Sequence, residues 1–502
     1  MTTRVNFLAM IPRPFYREIV AGILCCCSLA ALAAQQRPNI LYIMSDDHAA
    51  HAISAYSDKL IQTPNIDRLA KEGMKFNHVF AANSICTPSR ATILTGQYSH
   101  INGVPVFNAI DTNKVTVAHR MSKAGYYTSM IGKWHLGTDP QGFDHWEILP
   151  GQGDYHNPVL YTREGPKKYQ GEYVTEVITK LAIEELKARP KDKPFFMMMH
   201  HKAPHRSWEP KEEIAKKWRA KTIPEPATLF DTYEGRTDAI REQKQSVARS
   251  LNKRDVKGTP PEGLTGDALT RWNYQRYIQD YLACIESVDE SVGQVLAFLE
   301  KEGILDDTVV IYTSDQGFFL GDHGLYDKRF MYEESLKMPF LIRWGKGIKP
   351  GLTQDAICVN CDFAPTFLAL AGEKVPEEMQ GVSLTPLLEG TQPAAWRTSM
   401  YYRYYHTPGD HNTARHYGVR TTTHKLICFD GKEQWECYDL VKDPAELHNI
   451  YAKPEAQTVV LELKQELRRL QKQLKDTDNL YADPATWPKG SSYRQAPFAK
   501  KK

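Results

Sequence analysis

The stretch SICTPSRATILTG, from Ser84 to Gly96, places a cysteine, a serine and an arginine at the start of a segment with a helical pattern. Cys86 stands two residues before a proline and four residues before Arg90. A thiol at a helix N-terminus beside an arginine is expected to have a lowered pKa and to be reactive. From these residues alone, Cys86 could be a thiolate nucleophile, a metal ligand, half of a disulfide or the target of a modification.

Two pairs of polar residues each follow a strand-like segment. Asp46 and Asp47 come after NILYIM, and Asp315 and Gln316 come after TVVIYTS. Ligands of an open parallel sheet bind outside the carboxyl ends of its strands, so the two pairs are expected to converge. Three carboxylates and one amide form a hard-oxygen set, which favours calcium or magnesium over zinc. Either pair alone could be a helix cap or a solvated turn, but their matching positions favour a metal site.

Cationic and imidazole side chains follow the other strand-like segments. Hydrogen-bond donors of this kind, gathered near a metal, suit an anionic group that carries several oxygens. A single lysine or histidine at such a place could equally cap a helix or pair with an acid. The residues concerned are Lys133 and His135 in GKWHLG, His200, His201, Lys202 and His205 in HHKAPH, and Lys328 in YDKRF.

The elements that must position these residues alternate along the chain. Short, continuously apolar runs are typical of strands buried on both faces, and longer helical patterns separate them. This alternation predicts an α/β fold with a mostly parallel sheet between helices. The predicted strands are Asn39–Met44, Tyr126–Ile131, Pro194–Met199, Thr308–Thr313 and Pro339–Trp344, and the clearest helices begin at Pro64, Val174 and Ala268.

Composition shifts define the expected domains of the 502-residue chain. A catalytic domain is predicted over 35–385, with a charged surface insertion at about 210–266. A smaller C-terminal domain with an antiparallel sheet, a terminal amphipathic helix and a basic tail is predicted over 386–502. The net charge of +3 gives no indication of nucleic-acid binding.

The N-terminus has the pattern of a secretory signal peptide over 1–34. Basic residues precede an apolar run that ends in small residues, which suits cleavage after Ala33 or Ala34. An uncleaved anchor is the alternative, and the residues before the triple cysteine at 25–27 fit a lipidation site poorly. No later segment is apolar enough to span a bilayer, so we expect an exported protein without stable membrane insertion. The six remaining cysteines are expected to be buried thiols, or to form one local bridge between Cys358 and Cys361.

CTPSRATILTG resembles the first signature of the sulfatase family, and GYYTSMIGKWH from Gly125 resembles its second signature. The paired acids and the APH motif are similar as well, and the resemblance covers nearly the whole mature chain. It implies an alkaline-phosphatase-like fold, one Ca²⁺ per chain and oxidation of Cys86 to formylglycine during export. A formylglycine-generating enzyme or an equivalent maturase is the implied partner.

The resemblance also implies how such a site works. A formylglycine hydrate carries two hydroxyls on one carbon. One attacks sulfur, and the other then loses its proton and expels sulfate, which regenerates the aldehyde and divides the reaction into two steps. An ordinary alcohol would leave a stable sulfated enzyme.

Residue roles follow from the same resemblance. Asp46, Asp47, Asp315 and Gln316 would hold calcium together with the modified Cys86, although many family members carry Asn where this chain has Gln316. Asp315 would also accept the proton of the attacking hydroxyl. Arg90 would stabilise the nucleophile, and Lys133 and Lys328 would bind sulfate oxygens. His135 would be the base for elimination, and His205 would protonate or hydrogen-bond the leaving oxygen.

The substrate is expected to be a sulfated carbohydrate, with a 6-O-sulfated N-acetylhexosamine as first choice. An arylsulfatase that acts on small sulfate esters is the second choice. A metal-dependent phosphatase or phosphodiesterase of the same superfamily, and a non-catalytic glycan-binding protein, are further alternatives. Candidate substrate-binding residues are His201, Lys202, Trp208, Arg403, His406, His411, His416 and Arg420, although those in the smaller domain could equally form a domain interface.

Overall fold

The structure is a computed structural model that describes residues 37–406, 409–429, 432 and 434–477. The predicted signal peptide and the basic tail lie outside the described residues. From Asn39 onward the described residues form one compact unit, so the domain boundary at 385/386 and the insertion at 210–266 stay predictions.

The strands, numbered in chain order, are β1 (Asn39–Ser45), β2 (Met74–Phe80), β3 (Tyr127–Lys133), β4 (His145–Leu149), β5 (Val159–Thr162), β6 (Gly165–Lys168), β7 (Phe195–His200), β8 (Thr308–Ser314), β9 (Phe319–Leu320), β10 (Tyr326–Asp327), β11 (Lys337–Arg343), β12 (Leu352–Gln354), β13 (Cys358–Val359), β14 (Ser399–Tyr404), β15 (His416–Thr421), β16 (His424–Phe429) and β17 (Gln434–Asp439).

The α-helices are α1 (Pro64–Lys71), α2 (Cys86–Thr95), α3 (Ser99–Asn102), α4 (Val117–Lys123), α5 (Val174–Ala188), α6 (Glu212–Arg219), α7 (Asp238–Arg241), α8 (Lys253–Val256), α9 (Gly266–Lys301), α10 (Glu333–Leu336), α11 (Phe363–Leu370), α12 (Thr385–Leu388) and α13 (Gln457–Leu474).

The largest sheet has eleven strands in the order β12-β2-β11-β8-β1-β7-β3-β4-β5-β6, with β13 also paired to β2. Its centre is parallel: β1 pairs with β7 and β8, and β3 pairs with β7 and β4. The strand at Lys337–Arg343 runs antiparallel to both of its neighbours, which makes the sheet mixed. The predicted α/β class is therefore confirmed, with antiparallel pairings toward both edges of the sheet.

Both faces of this sheet are covered, which explains the continuously apolar strands. Leu41 and Ile43 of β1 pack on one face with residues of α1, α5 and α9. Ile40 and Tyr42 of the same strand pack on the opposite face with residues of α2, α4 and α11. Because successive strand side chains point to opposite faces, a strand in this position must be apolar at nearly every residue.

A second, four-stranded antiparallel sheet has the order β14-β15-β16-β17, which confirms the predicted smaller C-terminal sheet. The amphipathic helix α13 packs on it and buries Val460, Leu463, Leu467, Leu470 and Leu474. Leucines recurring every three to four residues form one apolar face of a helix, and that face is buried here.

The six cysteines of the described part of the chain are all buried, as the prediction of buried thiols requires. In the described residues, no helix combines the length and the apolar composition that crossing a membrane requires.

Candidate active site

The site lies where the central parallel strands end. Ser45, at the end of β1, pairs with Ser314 at the end of β8, and Met44 pairs with His200 at the end of β7. Two backbone hydrogen bonds continue this alignment beyond the strands: Asp315 N donates to Ser45 O, and His201 N donates to Met44 O. The parallel register therefore brings the polar segments that follow these strands to one edge of the sheet.

Three carboxylates meet at this edge. Asp46, Asp47 and Asp315 are fully buried, and each offers an oxygen within 4.8 Å of the other two. Asp47 has a positive φ of 66°, which ends the strand and allows both members of its pair to face the same site. Gln316 Nε2 donates a hydrogen bond to Asp47 Oδ1. The predicted convergence of the two pairs is thus present in the fold.

Cationic side chains balance these carboxylates. Lys133 Nζ contacts Asp46 Oδ2, and Lys328 Nζ lies 2.5 Å from Asp47 Oδ1. Arg90 donates from Nε and Nη2 to Asp315 Oδ2, at 3.1 and 3.0 Å. All three cations are buried, so each pair forms in a medium that screens charge weakly.

The oxygen atoms of this cluster fit a divalent cation. Among the described residues, the buried atoms Asp46 Oδ1 and Gln316 Oε1 have no hydrogen-bond partner. A buried acceptor without a partner is costly, and coordination to a metal would satisfy it. Carboxylate and amide oxygens are the ligands that calcium and magnesium prefer. The donor set therefore suits a hard cation held by Asp46, Asp47, Asp315 and Gln316.

Cys86 is the first residue of α2 and is almost completely buried. Burial raises the pKa of its thiol to about 12, and the carboxylates of Asp315 and Asp47 act in the same direction. The expected lowering of the pKa is wrong, because these effects outweigh the charges of Lys328 and Arg90. Burial therefore disfavours the thiolate form of Cys86, and its position at the start of α2 does not by itself produce a reactive thiolate.

Two predicted histidines flank the cluster. His205 Nε2 lies 3.7 Å from Asp47 Oδ2, and His205 Nδ1 lies 2.6 Å from the backbone oxygen of Arg206. A carbonyl can only accept, so Nδ1 carries the proton of the neutral ring and Nε2 is the acceptor. His135 contacts Thr87 Oγ1, one residue after Cys86. Burial lowers the pKa of both imidazoles well below the usual value.

A pocket of about 350 Å³ opens onto this cluster. Four of the predicted catalytic and metal-binding residues line it: Asp47, Cys86, His205 and Lys328. Its remaining lining residues are Phe107, Gln152, Arg206, Ser207, Asp327, Arg329, Asp410 and His411. The pocket therefore joins the predicted nucleophile and acids to a second set of polar groups.

The predicted substrate-binding residues separate into two groups. His411 lines the pocket, and its Nε2 lies 2.7 Å from Asp327 Oδ2. His406 lies near the pocket, with its ring 6.3 Å from that of Phe107. Lys202 is buried, but its Nζ donates to the backbone oxygen of Gln152, which lines the pocket, and burial lowers its pKa to about 8.

The prediction of substrate binding is wrong for Trp208 and His201, which follow the end of β7. Trp208 is fully buried, with its ring 5.1 Å from that of Tyr277, so no face is exposed to a sugar. His201 is also fully buried and contacts Ser291 Oγ of α9 at 3.2 Å. Each of these side chains points into the core because α9 packs over it.

The substrate-binding prediction also fails for three residues of the smaller sheet, and two of them, His416 and Arg420, form the domain interface that the sequence analysis gave as the alternative. Arg403 pairs with Asp476 at 2.7 Å, and Arg420 pairs with Glu333 at 3.1 Å. The ring of His416 is buried, and aromatic rings including that of Phe330 surround it. Arg420 and His416 of β15 therefore join the smaller sheet to the segment at 330–333, whereas Arg403 of β14 pairs within the C-terminal part of the chain.

Sequence reasoning missed several lining residues. Asp327 and Arg329 flank Lys328 in the YDKRF motif, and Asp410 precedes His411. Both Asp327 and Arg329 have positive φ values, of 84° and 89°. Their adjacency to predicted site residues was the available signal, but charged residues next to a site usually point to solvent. Here the left-handed backbone turns them into the pocket.

The sheet and the site at its carboxyl edge define an α/β enzyme with a buried acid cluster and a cationic pocket for an anionic group. A family model described as "Sulfatase" matches residues 38–373. A second model, described as "N-sulphoglucosamine sulphohydrolase, C-terminal", matches residues 321–473. The chain belongs to the sulfatase family and is a sulfuric ester hydrolase.

Characterised relatives agree with this assignment. The chain is 44% identical to an N-acetylglucosamine-6-O-sulfatase of Bacteroides thetaiotaomicron, over 94% of this chain and 93% of the relative. It is 28% identical to the N-acetylglucosamine-6-sulfatase of Homo sapiens, over 74% of this chain and 68% of that protein. A solved structure in complex with its substrate, D-glucosamine-2-N,6-O-disulfate, superposes with a TM-score of 0.86 and 45% identity, covering 89% of this chain and 100% of that one.

Proposed function

We propose that this sulfatase removes the 6-O-sulfate of a glucosamine whose nitrogen carries an acetyl or sulfate group. The observation that carries the proposal is the pocket that joins Cys86 and Lys328 to a second polar set, Asp327, Arg329 and His411. A small aryl ester needs only the sulfate site and an apolar wall, whereas a sugar needs partners for its hydroxyls. The names of the relatives at 44% and 45% identity support the same substrate class.

We propose further that Cys86 is converted to formylglycine before the enzyme acts, by a formylglycine-generating enzyme or an equivalent maturase. The signature around Cys86 supports this proposal, and the burial that disfavours its thiolate form argues against an unmodified thiol nucleophile. The aldehyde hydrate supplies a hydroxyl to attack sulfur and a second hydroxyl to release it. Cys86 lines the pocket at the start of α2, where an attacking group must lie.

Asp46, Asp47, Asp315 and Gln316 are the residues that would hold one calcium ion beside position 86. A bound divalent ion supplies positive charge to sulfate oxygens and acidifies a neighbouring hydroxyl. Asp315 also accepts two hydrogen bonds from Arg90, which hold its carboxylate in place. This arrangement supports a role for Asp315 as the acceptor of the proton of the attacking hydroxyl.

Cationic residues of the site would bind and orient the ester. Lys328 lines the pocket beside Cys86, and Lys133 lies behind it on Asp46. Their ammonium groups are suited to the sulfate oxygens, as in other sites built for oxyanions. Arg90 links Asp315 to the backbone oxygen of Lys133 and so connects the two acid pairs with β3.

The two histidines would move protons. His205 holds one proton on Nδ1 through its bond to Arg206 O, so a second proton on Nε2 would be the one given to the leaving sugar oxygen. Burial lowers the pKa of this ring, so Nε2 would carry the second proton only when the negative charge of the bound ester stabilises the imidazolium. His135, next to Thr87, would accept the proton when sulfate is expelled.

The predicted signal peptide indicates export to the periplasm or the medium after cleavage near Ala33 or Ala34. An extracytoplasmic enzyme has access to fragments of sulfated polysaccharides, which supports the carbohydrate substrate.

The test is activity on a panel of sulfated monosaccharides and one aryl sulfate. We expect the highest kcat/KM for N-acetylglucosamine-6-O-sulfate or glucosamine-2-N,6-O-disulfate. A galactosamine 6-sulfate and a glucosamine 3-sulfate serve as matched controls for the sugar and for the position. Strong preference for the aryl sulfate, with no activity on any sulfated sugar, would contradict the substrate proposal and leave the family assignment standing.

A further inference from the structure

We propose that Arg206 determines specificity by binding a second anionic group of the substrate, and that Asp255 is the residue that positions it. This inference rests on the proposed function, because it concerns the same pocket and the same sulfated sugar. It adds a recognition site for a charge other than the 6-O-sulfate.

Arg206 is held in one orientation at the pocket wall. Its Nε and Nη2 donate to the two carboxylate oxygens of Asp255, at 2.7 and 2.5 Å. The guanidinium also lies over the ring of Tyr326, 5.0 Å from its centroid. A side chain fixed by a bidentate ion pair and an aromatic face loses little freedom when it binds a ligand.

The buried partner is fixed in turn. Asp255 belongs to α8, and its Oδ2 accepts a hydrogen bond from the backbone N of Asn252, the N-cap residue of that helix. Its side chain is 1% exposed, whereas that of Arg206 is 23% exposed. Within this ion pair, the guanidinium of Arg206 therefore lies on the pocket side, and the carboxylate of Asp255 lies inside the protein.

This arrangement distinguishes Arg206 from the other cations that line the pocket. Lys328 pairs with Asp47, and Arg329 lies 2.6 Å from Asp327 and 3.5 Å from Asp410. Those three carboxylates themselves line the pocket, so they offset the cations on the side that the substrate meets. The carboxylate of Asp255 lies behind the wall. Asp327 also acts electrostatically on Arg206, but the ion pair of Arg206 is with Asp255, so the donors that this pair leaves can face the pocket.

The chemistry of the group favours an oxyanion. A guanidinium has five N–H donors, and Asp255 takes two of them, which leaves three. These donors match the planar carboxylate and the tetrahedral sulfate, both of which accept two parallel hydrogen bonds. Two sources have this chemistry: an N-sulfate on the same glucosamine, and the carboxylate of an adjoining uronic acid.

The experiment compares three substrates with the mature, full-length enzyme. N-acetylglucosamine-6-O-sulfate has no second anion, glucosamine-2-N,6-O-disulfate has an N-sulfate, and a disaccharide of a uronic acid with N-acetylglucosamine-6-O-sulfate has a carboxylate. Arg206→Gln should lower kcat/KM about tenfold or more on one of the two doubly charged substrates, mainly through KM, and much less on the first. Arg206→Lys should recover part of the loss, since it keeps the charge without the bidentate geometry.

Asp255→Asn should shift the same substrate ratio in the same direction by a smaller factor, because the guanidinium keeps its charge but loses its position. Arg254→Gln is the matched control, because this neighbouring arginine is 72% exposed and pairs with Glu209. This variant should leave kcat/KM unchanged on all three substrates. Loss of folded protein lowers the activity on all three substrates equally. The ratio of the kcat/KM values between substrates therefore separates an effect on recognition from an effect on stability.

Each outcome decides the proposal. A selective loss on the disulfate identifies the N-sulfate as the second anion, and a selective loss on the disaccharide identifies the carboxylate. If Arg206→Gln changes kcat/KM equally on all three substrates, or on none, the proposed role of Arg206 is overturned. If Arg206→Gln is selective but Asp255→Asn changes kcat/KM equally on all three substrates, only the proposed role of Asp255 is overturned. If the wild-type enzyme hydrolyses none of the three, the proposed function itself is wrong.

Discussion

Lys328 Nζ lies within hydrogen-bonding distance of both carboxylate oxygens of Asp47, at 2.5 and 2.7 Å. The two residues are 281 positions apart in the chain. The contact joins the turn after β10 to the end of β1, and it places an ammonium group beside Cys86 at the wall of the pocket. The acid cluster and the anion-binding cations thus form one continuous site.

We expect Cys86→Ala and Cys86→Ser to abolish turnover while the fold is retained. Alanine has no nucleophile, and serine has a single hydroxyl that could be sulfated but could not expel sulfate. Activity, circular dichroism and the mass of the peptide that contains position 86 are the measurements. Cys428→Ala, in the smaller sheet, is the control and should remain active. Normal turnover by Cys86→Ser would exclude the proposed chemistry.

Asp46→Asn should weaken calcium binding, because it removes one of three negative charges that face the divalent ion. The bound ion can be measured by elemental analysis and by calorimetric titration of the chelated protein. Asp58→Asn, which replaces an exposed acid, is the control and should bind calcium as the wild type does. Stoichiometric zinc in active protein, without calcium or magnesium, would show that the ligand assignment is incorrect.

His205→Ala should lower kcat by about 10²–10⁴-fold on a sugar sulfate, whose alkoxide needs a proton to leave. The loss should be much smaller on an aryl sulfate with a good leaving group, which departs without protonation. The measurement is the ratio of the two kcat values in the wild type and in the variant. A similar loss on both substrates would indicate that His205 binds sulfate instead of acting on the leaving oxygen.

His323 should make stability depend on pH. Burial by itself lowers the pKa of its imidazole, but the hydrogen bond to Asp231, at 2.8 Å, and the nearby carboxylate of Glu334, at 3.6 Å, raise it to about 9. Because the pKa of His323 is higher in the folded state than in the unfolded state, protonation of its imidazole stabilises the fold. This stabilisation is fully present below the unfolded-state pKa of about 6.5 and is lost as the pH rises through 9. It amounts to about 3 kcal/mol at its largest.

We therefore expect the difference in unfolding free energy between the wild type and His323→Gln to be largest at about pH 6 and to shrink toward pH 10. Denaturant titrations over this range measure it. His448→Gln, at a side chain that is 72% exposed, is the control and should show a flat difference. A constant difference for His323→Gln across the range would contradict the linkage.

Trp208→Ala should destabilise the protein by about 3–5 kcal/mol, as the loss of a large buried aromatic side chain does. Its ring packs against those of Tyr277, Phe318 and Tyr326, so the effect is on folding. Thermal unfolding measures it, and Trp208→Phe should lose less. An unchanged melting temperature with a raised KM would restore the sugar-binding role that the sequence suggested.

The elements that position the site were predictable because their sequence signals are local. The strand that ends at Ser45 and the strand that ends at Ser314 are apolar at nearly every residue, and an acid pair follows each. Parallel strands bring their carboxyl ends together, so the meeting of Asp46, Asp47 and Asp315 follows from the pattern. The signature around Cys86 indicated the chemistry in the same way.

The pKa of the Cys86 thiol could not be predicted, because it depends on burial and on Asp315, which is 229 residues away. The residues that line the pocket could not be predicted either. Arg206 and Trp208 stand two residues apart in one polar segment. The first lines the pocket and the second lies in the core.

The sequence by itself determined the α/β class, the strand ends that carry the acids and the family signature at Cys86. Only the tertiary structure decided which polar residues face the substrate. Arg206 reaches the pocket because Asp255 holds it, and Trp208 is buried because Tyr277 of α9 packs against it. Periodicity and spacing report on neighbours along the chain, whereas the direction of a side chain depends on distant elements that pack over it.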